Sequence, residues 1–284
     1  MFAIHGKMEF QFQTVLKKAE AWQRNLLNRI RLSNLSSSQI KVEKTLVIIP
    51  TYNEIENIEA IVRKVMSLYL PFHLLIIDDN SPDGTAEAVK NLQKEYPDRL
   101  FLEQRKGKLG LGTAYIHGFK YAISHGYTFV CEMDADFSHN PEDLIRLYKT
   151  CINEGIDLAI GSRYINGITV VNWPMGRLLM SYFGSKYVQF ITGMPILDTT
   201  AGFKCYRTSI LEKINFNQVK FTGYGFQIQM KFLVWKYGFK MKEVPIIFTD
   251  RTQGTSKMTS GIFKEAVFGV IRMKIRSWFQ HFQN

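Results

Sequence analysis

The chain has 284 residues, 46% hydrophobic and 21% charged, with a formal net charge of +11. This composition excludes a disordered chain, supplies enough apolar side chains for one large core, and favours acidic partners. Residues 1–40 lack the apolar core of a signal peptide, and no apolar run reaches the roughly 18–20 residues of a spanning helix.

In chain order, residues 9–32 read as a helix, with Phe12, Val15, Leu16, Ala19, Trp22, Leu26 and Ile30 at near-helical spacing. A polar linker follows at 33–38. Residues 1–44 are set apart as a basic N-terminal helical extension, in which eight Lys and Arg face three Glu. From 45 the pattern alternates. A β-branched run at 45–49, stopped by Pro50, predicts a strand, and 55–70 predicts a helix with Ile58, Ile61, Val62, Val65 and Met66 inward. Strands are expected at 73–77, 100–103 and 128–133. Between them come a helix opened by the Asp83-Gly84 turn and a Gly-rich turn with a helix at 107–124. This alternation predicts an α/β protein with a mainly parallel sheet and helices on both faces, binding ligands at the carboxyl ends of its strands.

The second half is less regular. A helix is expected at 141–154, capped by Asn140 with Pro141 at its first position, then a short strand at 158–160. Helices at 176–192 and 225–237, a strand at 243–248 and an amphipathic helix at 262–279 complete the pattern. The last helix carries Phe263, Ala266, Val267, Val270, Ile271, Ile275, Trp278 and Phe279 on an apolar side.

Cys131, Cys151 and Cys205 form no metal-ligand spacing, are odd in number, and are expected to be buried thiols in a reducing compartment. The six histidines show no zinc spacing, and no G-x-S-x-G elbow is present.

Four segments at strand ends can carry chemistry. Asp134-Ala135-Asp136 offers two carboxylates to one hard divalent cation, or is a solvated turn. In Pro50-Thr51-Tyr52-Asn53-Glu54, Tyr52 and Glu54 can take a base or ribose, or Thr51 or Asn53 can cap a helix. In the 78–85 segment, Asp79 is a ligand candidate and Pro82-Asp83-Gly84 a turn. The 105–114 segment, RKGKLGLGTA, matches neither a dinucleotide fingerprint nor a P-loop. Arg163, Arg177, Arg251 and Lys257 are loop cations suited to phosphate, or surface charges.

In order, PTYNE (50–54), DDNSPDGT (78–85), KLGLGTAY (108–115), MDADFSHNPED (133–143), GSRY (161–164), DTTAGFKCYR (198–207), GYGFQIQM (223–230) and RTQGTSKM (251–258) resemble the dolichol-phosphate (polyprenol-phosphate) mannosyltransferases of glycosyltransferase family 2. The resemblance spans about 45–258 and implies a GT-A fold in that range. Residues 45–140 would form a nucleotide-sugar half and 141–258 an acceptor half, with 259–284 as a C-terminal amphipathic helix. It implies inverting transfer of mannose from GDP-mannose to a polyprenyl phosphate, assisted by Mg²⁺ or Mn²⁺. Pro50, Tyr52, Glu54, Ile77, Asp79, Asp134, Ala135, Asp136, Arg163, Arg251 and Lys257 then fall on the nucleotide-sugar site. Asp134 and Asp136 fall on the metal. Asp136, Arg163 and Arg177 fall on catalysis, with Arg177 toward the acceptor.

Three positions depart from the family pattern: Asn80 where Gly is usual, Gln229 where an acid is usual, and Ser138 where some members have a longer polar ligand. Asn80 tolerates positive φ, so the turn can survive. The terminal helices are expected either to lie peripherally on the cytoplasmic face of a membrane or to pack on the core or in a dimer. Two alternatives are another family 2 transferase moving glucose or a related sugar from a UDP-sugar, and a basic nucleic-acid module. The second finds no helix-turn-helix, RRM or zinc signature, so no nucleic-acid partner is expected.

Overall fold

The computed structural model describes residues 43–250, 261–280 and 282. The helix expected at 9–32 lies outside the described residues, as do Arg251 and Lys257.

The elements run β1 (Thr45–Thr51), α1 (Ile55–Met66), β2 (His73–Asp78), α2 (Thr85–Gln93), β3 (Leu100–Gln104), α3 (Leu111–Ser124), β4 (Phe129–Glu132) and α4 (Asp143–Glu154). They continue with β5 (Leu158–Ser162), β6 (Val170–Val171), α5 (Met175–Thr192), β7 (Lys204–Arg207), α6 (Thr208–Lys213), α7 (Gly225–Lys236), β8 (Met241–Pro245), β9 (Phe248–Thr249) and α8 (Gly261–Ser277).

Seven strands form one sheet in the order β3-β2-β1-β4-β7-β5-β8, and β6 pairs with β9 apart from it. All strands of the large sheet run parallel except β7, which is antiparallel to both β4 and β5. The pleat sorts the core. Leu46 and Ile48 of β1 face one apolar cluster with Phe119, Tyr206 and Phe226, while Val47 and Ile49 face the other with Ile61, Leu74 and Leu147. A sheet buried on both faces reads as a continuous apolar run, as β1 and β2 do.

Several expectations shift. The strand expected at 243–248 is two: β8 ends at Pro245, and β9 begins at Phe248 against β6. β7 and α6 were not foreseen. The apolar side expected on the C-terminal helix is divided. Val270 is buried, whereas Ile271, Ile275, Trp278 and Phe279 are exposed. The helix expected from 141 starts instead at Asp143, after a turn in which Asn140 Oδ1 accepts Glu142 N–H at 3.1 Å. The three cysteines are buried and free.

Candidate active site

The strand order 3-2-1 reverses between β1 and β4. In an open α/β sheet such a switch opens a crevice at the carboxyl ends. The segments that follow β1, β2 and β4 therefore meet at one edge. Because β7 runs antiparallel, the chain just before it, 198–203, reaches the same edge.

The first two segments hold one another. Asp78 is fully buried; its Oδ1 accepts from the Thr51 and Ser81 hydroxyls, and its Oδ2 from Ser81 N–H at 2.9 Å. Asp83 Oδ1 caps α2 through Thr85 N–H at 3.0 Å, and Oδ2 accepts Ile55 N–H at 3.1 Å at the start of α1. The cap on α1 thus comes from the neighbouring loop, not from Thr51 or Asn53. Burial would raise the Asp83 carboxyl, but these donors outweigh it and hold it below its ordinary value. Asn80 has φ 60°, the left-handed conformation its side chain tolerates.

Pro50 lies in β1 opposite Ile77 of β2. Tyr52 and Glu54 follow at the strand end, with Lys108 Nζ 5.1 Å from the Tyr52 ring. Asp79 is buried, with a partner the sequence did not reveal. Arg105 Nε donates to Oδ1 at 2.6 Å and Nη2 to Oδ2 at 2.7 Å. Arg105 Nη1 also reaches Thr113 Oγ1 at 2.7 Å. Such a two-point fork fixes both the charge and the plane of the carboxylate.

After β4, Asp134 keeps a side chain 41% exposed, whereas Ala135 and Asp136 are buried. Phe137 at φ 59° turns the chain so that Ser138 N–H and Oγ both reach Asp136 Oδ1, at 3.1 and 2.6 Å. His139 Nδ1 accepts Asp134 N–H at 3.2 Å, so the ring is neutral and protonated on Nε2. Burial pushes its pKa down to about 4, against the pull of Asp136. The ring stacks on Phe203, 4.8 Å away. His139 has no ligand spacing in the sequence; in the fold it accepts Asp134 N–H and so fixes the loop that carries Asp134 and Asp136.

Beneath this loop lies a buried charged layer. Glu132 of β4 is in register with Lys204 of β7, and Lys204 Nζ stands 3.1 Å from Glu132 Oε2. Lys204 also donates to Gln227 Oε1. Lys231 donates to the Ala201 carbonyl at 2.6 Å, and burial drives its pKa well down. Arg163, after β5, is buried against Asp198: N–H and Nε donate to Oδ2, at 3.0 and 2.7 Å, Nη2 to Oδ1 at 2.6 Å, and Nη2 to Thr200 Oγ1. Burial opposes both charges, yet each keeps the other ionised. Arg177 sits further out on α5, with Nη1 2.7 Å from Asp250 Oδ1 and its guanidinium carbon 4.3 Å from the Trp173 ring centroid.

Asp134 and Asp136 suit a hard cation, being oxygen donors at the end of one strand. Among the described residues no group of three or more His, Cys, Asp or Glu is arranged to hold a metal. Two carboxylates fit the coordination of an Mg²⁺-type ion completed by substrate phosphate and water.

The fold is of the GT-A type, and the profile of glycosyl transferase family 2 matches residues 46–215. The chain belongs to glycosyl transferase family 2 and is a glycosyltransferase. It is 46% identical to the polyprenol monophosphomannose synthase of Mycolicibacterium smegmatis over 82% of this chain and 88% of that one. It is 41% identical to the undecaprenyl-phosphate mannosyltransferase of Micrococcus luteus over 81% of this chain and 93% of that one. The fold is also shared with a glucosyl-3-phosphoglycerate synthase from Mycobacterium tuberculosis solved with Mn²⁺ and UDP. That match has a TM-score of 0.58 and 15% identity, covering 83% and 80% of the two chains. A mannosyltransferase from Pyrobaculum calidifontis in complex with GDP-Man and Mn²⁺ matches with a TM-score of 0.53 and 14% identity, covering 84% and 74%.

Proposed function

We propose that this chain transfers mannose from GDP-mannose to a polyprenyl phosphate, giving polyprenyl phosphomannose and GDP. The observation that carries the reading is the similarity to a polyprenol monophosphomannose synthase and an undecaprenyl-phosphate mannosyltransferase, each over more than four-fifths of the chain.

A phosphate oxygen of the acceptor forms the new bond to the anomeric carbon as the bond to the GDP oxygen breaks, and the electron pair leaves with GDP. The acceptor is already anionic, so no general base has to take a proton. The residues bind and orient. Pro50, Tyr52, Glu54, Ile77 and Asp79 hold the nucleotide, with Asp79 fixed by Arg105. Asp134 and Asp136 would hold a divalent cation, which when bound neutralises the leaving diphosphate. Ala135 keeps the turn between them small. Arg177 meets the acceptor phosphate, Arg163 stays locked on Asp198 at the base of the site, and Arg251 and Lys257, outside the described residues, would supply further cations for phosphate. Catalysis is then orientation and charge stabilisation.

The acceptor is a membrane lipid, so the chain works in peripheral contact with the cytoplasmic face of a membrane. Met175, Leu179, Phe183 and Phe190 of α5 are exposed, as are Phe268, Ile271 and Ile275 of α8 beside Arg272 and Arg276. Apolar faces with basic flanks suit such a surface. No helix among the described residues is long and apolar enough to cross a membrane.

The reading is tested by offering labelled GDP-mannose, UDP-glucose and UDP-N-acetylglucosamine with a short polyprenyl phosphate. Lipid-linked mannose from GDP-mannose is expected. Transfer from UDP-glucose with none from GDP-mannose would replace the reading with that of a glucosyl transferase.

A further inference from the structure

Gln229 stands on α7, 6% exposed, and its amide makes three hydrogen bonds to one short segment. Its Oε1 accepts Lys220 N–H at 2.9 Å and Phe221 N–H at 3.2 Å, and its Nε2 donates to the Gln218 carbonyl at 2.9 Å. An isosteric carboxylate can make the first two bonds but not the third, where two oxygens would face each other.

The segment so held is pinned a second time. A Cβ at Gly225 would lie 2.5 Å from the Phe221 ring, and one at Gly269 2.4 Å from it. The ring therefore fills a slot that only glycines leave open. The next residue reaches the other half of the protein: Thr222 O accepts Gly112 N–H at 2.8 Å. A Cβ at Gly110 would come within 2.9 Å of the same oxygen, and Gly110 has φ +99°. Gly110 O in turn accepts the Thr113 hydroxyl at 2.7 Å, that hydroxyl accepts from Arg105 Nη1, and Arg105 forks onto Asp79. A continuous set of hydrogen bonds and close contacts thus runs from Gln229 to the carboxylate at the end of β2.

We propose that Gln229 is a positioning residue for the donor nucleotide: its amide fixes the 218–222 segment, which clips the 105–113 loop and thereby sets Arg105 against Asp79. The inference rests on the reading that the end of β2 holds the nucleotide. It gives a task to the one position in the GYGFQIQM segment that departs from the family pattern.

The test is Q229E, with two readouts. The first is hydrogen exchange of the Gly112 amide in the full chain without ligand, which does not depend on what the enzyme transfers. Faster exchange there, with β1 and β2 unchanged, is expected. The second is steady-state kinetics. The KM for GDP-mannose is expected to rise roughly fivefold or more, from the unsatisfied buried carbonyl and the loosened loop, with kcat and the KM for polyprenyl phosphate near wild type. Unchanged exchange at Gly112 overturns the clip. Faster exchange with an unchanged donor KM overturns the donor role. Absence of any GDP-mannose turnover in the wild-type chain would refute the functional reading instead, leaving the exchange result to stand by itself. Should Q229E fail to fold, Q229M removes all three bonds at similar volume and is read the same way.

Discussion

Arg163 closes on both carboxylate oxygens of Asp198, Nε on Oδ2 at 2.7 Å and Nη2 on Oδ1 at 2.6 Å, with the Asp198 side chain fully buried. Breaking one side of a buried pair leaves an uncompensated charge, so D198N is expected to lose about 3–5 kcal/mol of stability. The sign of the pH dependence follows from the Asp198 carboxyl, which Arg163 holds below its ordinary value of 3.8 despite burial. The stability it contributes is complete above that value and is lost as pH falls through the lower folded one. Denaturant titrations of wild type and D198N should therefore differ by a constant amount above about pH 4 and converge only in stronger acid. A difference that shrinks between neutral pH and pH 5 would contradict this.

Arg105 and Asp79 form the corresponding pair on the nucleotide side. A lysine at 105 keeps the charge but cannot bond both oxygens in plane and reach Thr113 as well. R105K is expected to raise the KM for GDP-mannose about tenfold, the size of one charge-assisted hydrogen bond, and to leave the KM for polyprenyl phosphate unchanged. The ratio of the two KM values is the measurement.

Arg177 should show the opposite split. It lies over Trp173 and is held by Asp250. R177A is expected to raise the KM for the polyprenyl phosphate by roughly tenfold or more, with R177K intermediate, because a lysine retains charge without the planar fork. Donor KM should stay near wild type.

Much of this arrangement was legible in the sequence, for identifiable reasons. β1, β2 and β4 are runs of buried apolar residues, and the acids that follow them had to lie at one edge once the sheet was parallel. β7 was not legible. Its four residues, Lys204–Arg207, begin and end on a cation, and nothing local says that Lys204 will be buried against Glu132. The same holds for Asp198 and Arg105. Their partners are 35 and 26 residues away, and a carboxylate reads identically whether it meets a ligand or an arginine. Pro245 was a legible strand end that the apolar run 244–248 obscured.

The exposed aromatics of α5 make a separate claim. Phe190 is 86% exposed and Phe183 62%, more than a helix packed only against its own domain requires. F183S/F190S is expected to weaken sedimentation with anionic lipid vesicles while leaving transfer to a short, detergent-soluble acceptor intact. Equal vesicle binding by the double variant would move the membrane contact elsewhere.

The central claim is that Asp136, with Asp134, holds a divalent cation against the diphosphate of GDP-mannose. The direct measurement is mannose transfer to a short polyprenyl phosphate by wild type and D136N, with EDTA and with Mg²⁺ or Mn²⁺ restored. Wild type should lose activity in EDTA and regain it with metal. D136N should fall by on the order of a hundredfold or more at saturating metal, since several kcal/mol of leaving-group stabilisation is removed. Undiminished, metal-dependent transfer by D136N would contradict the account.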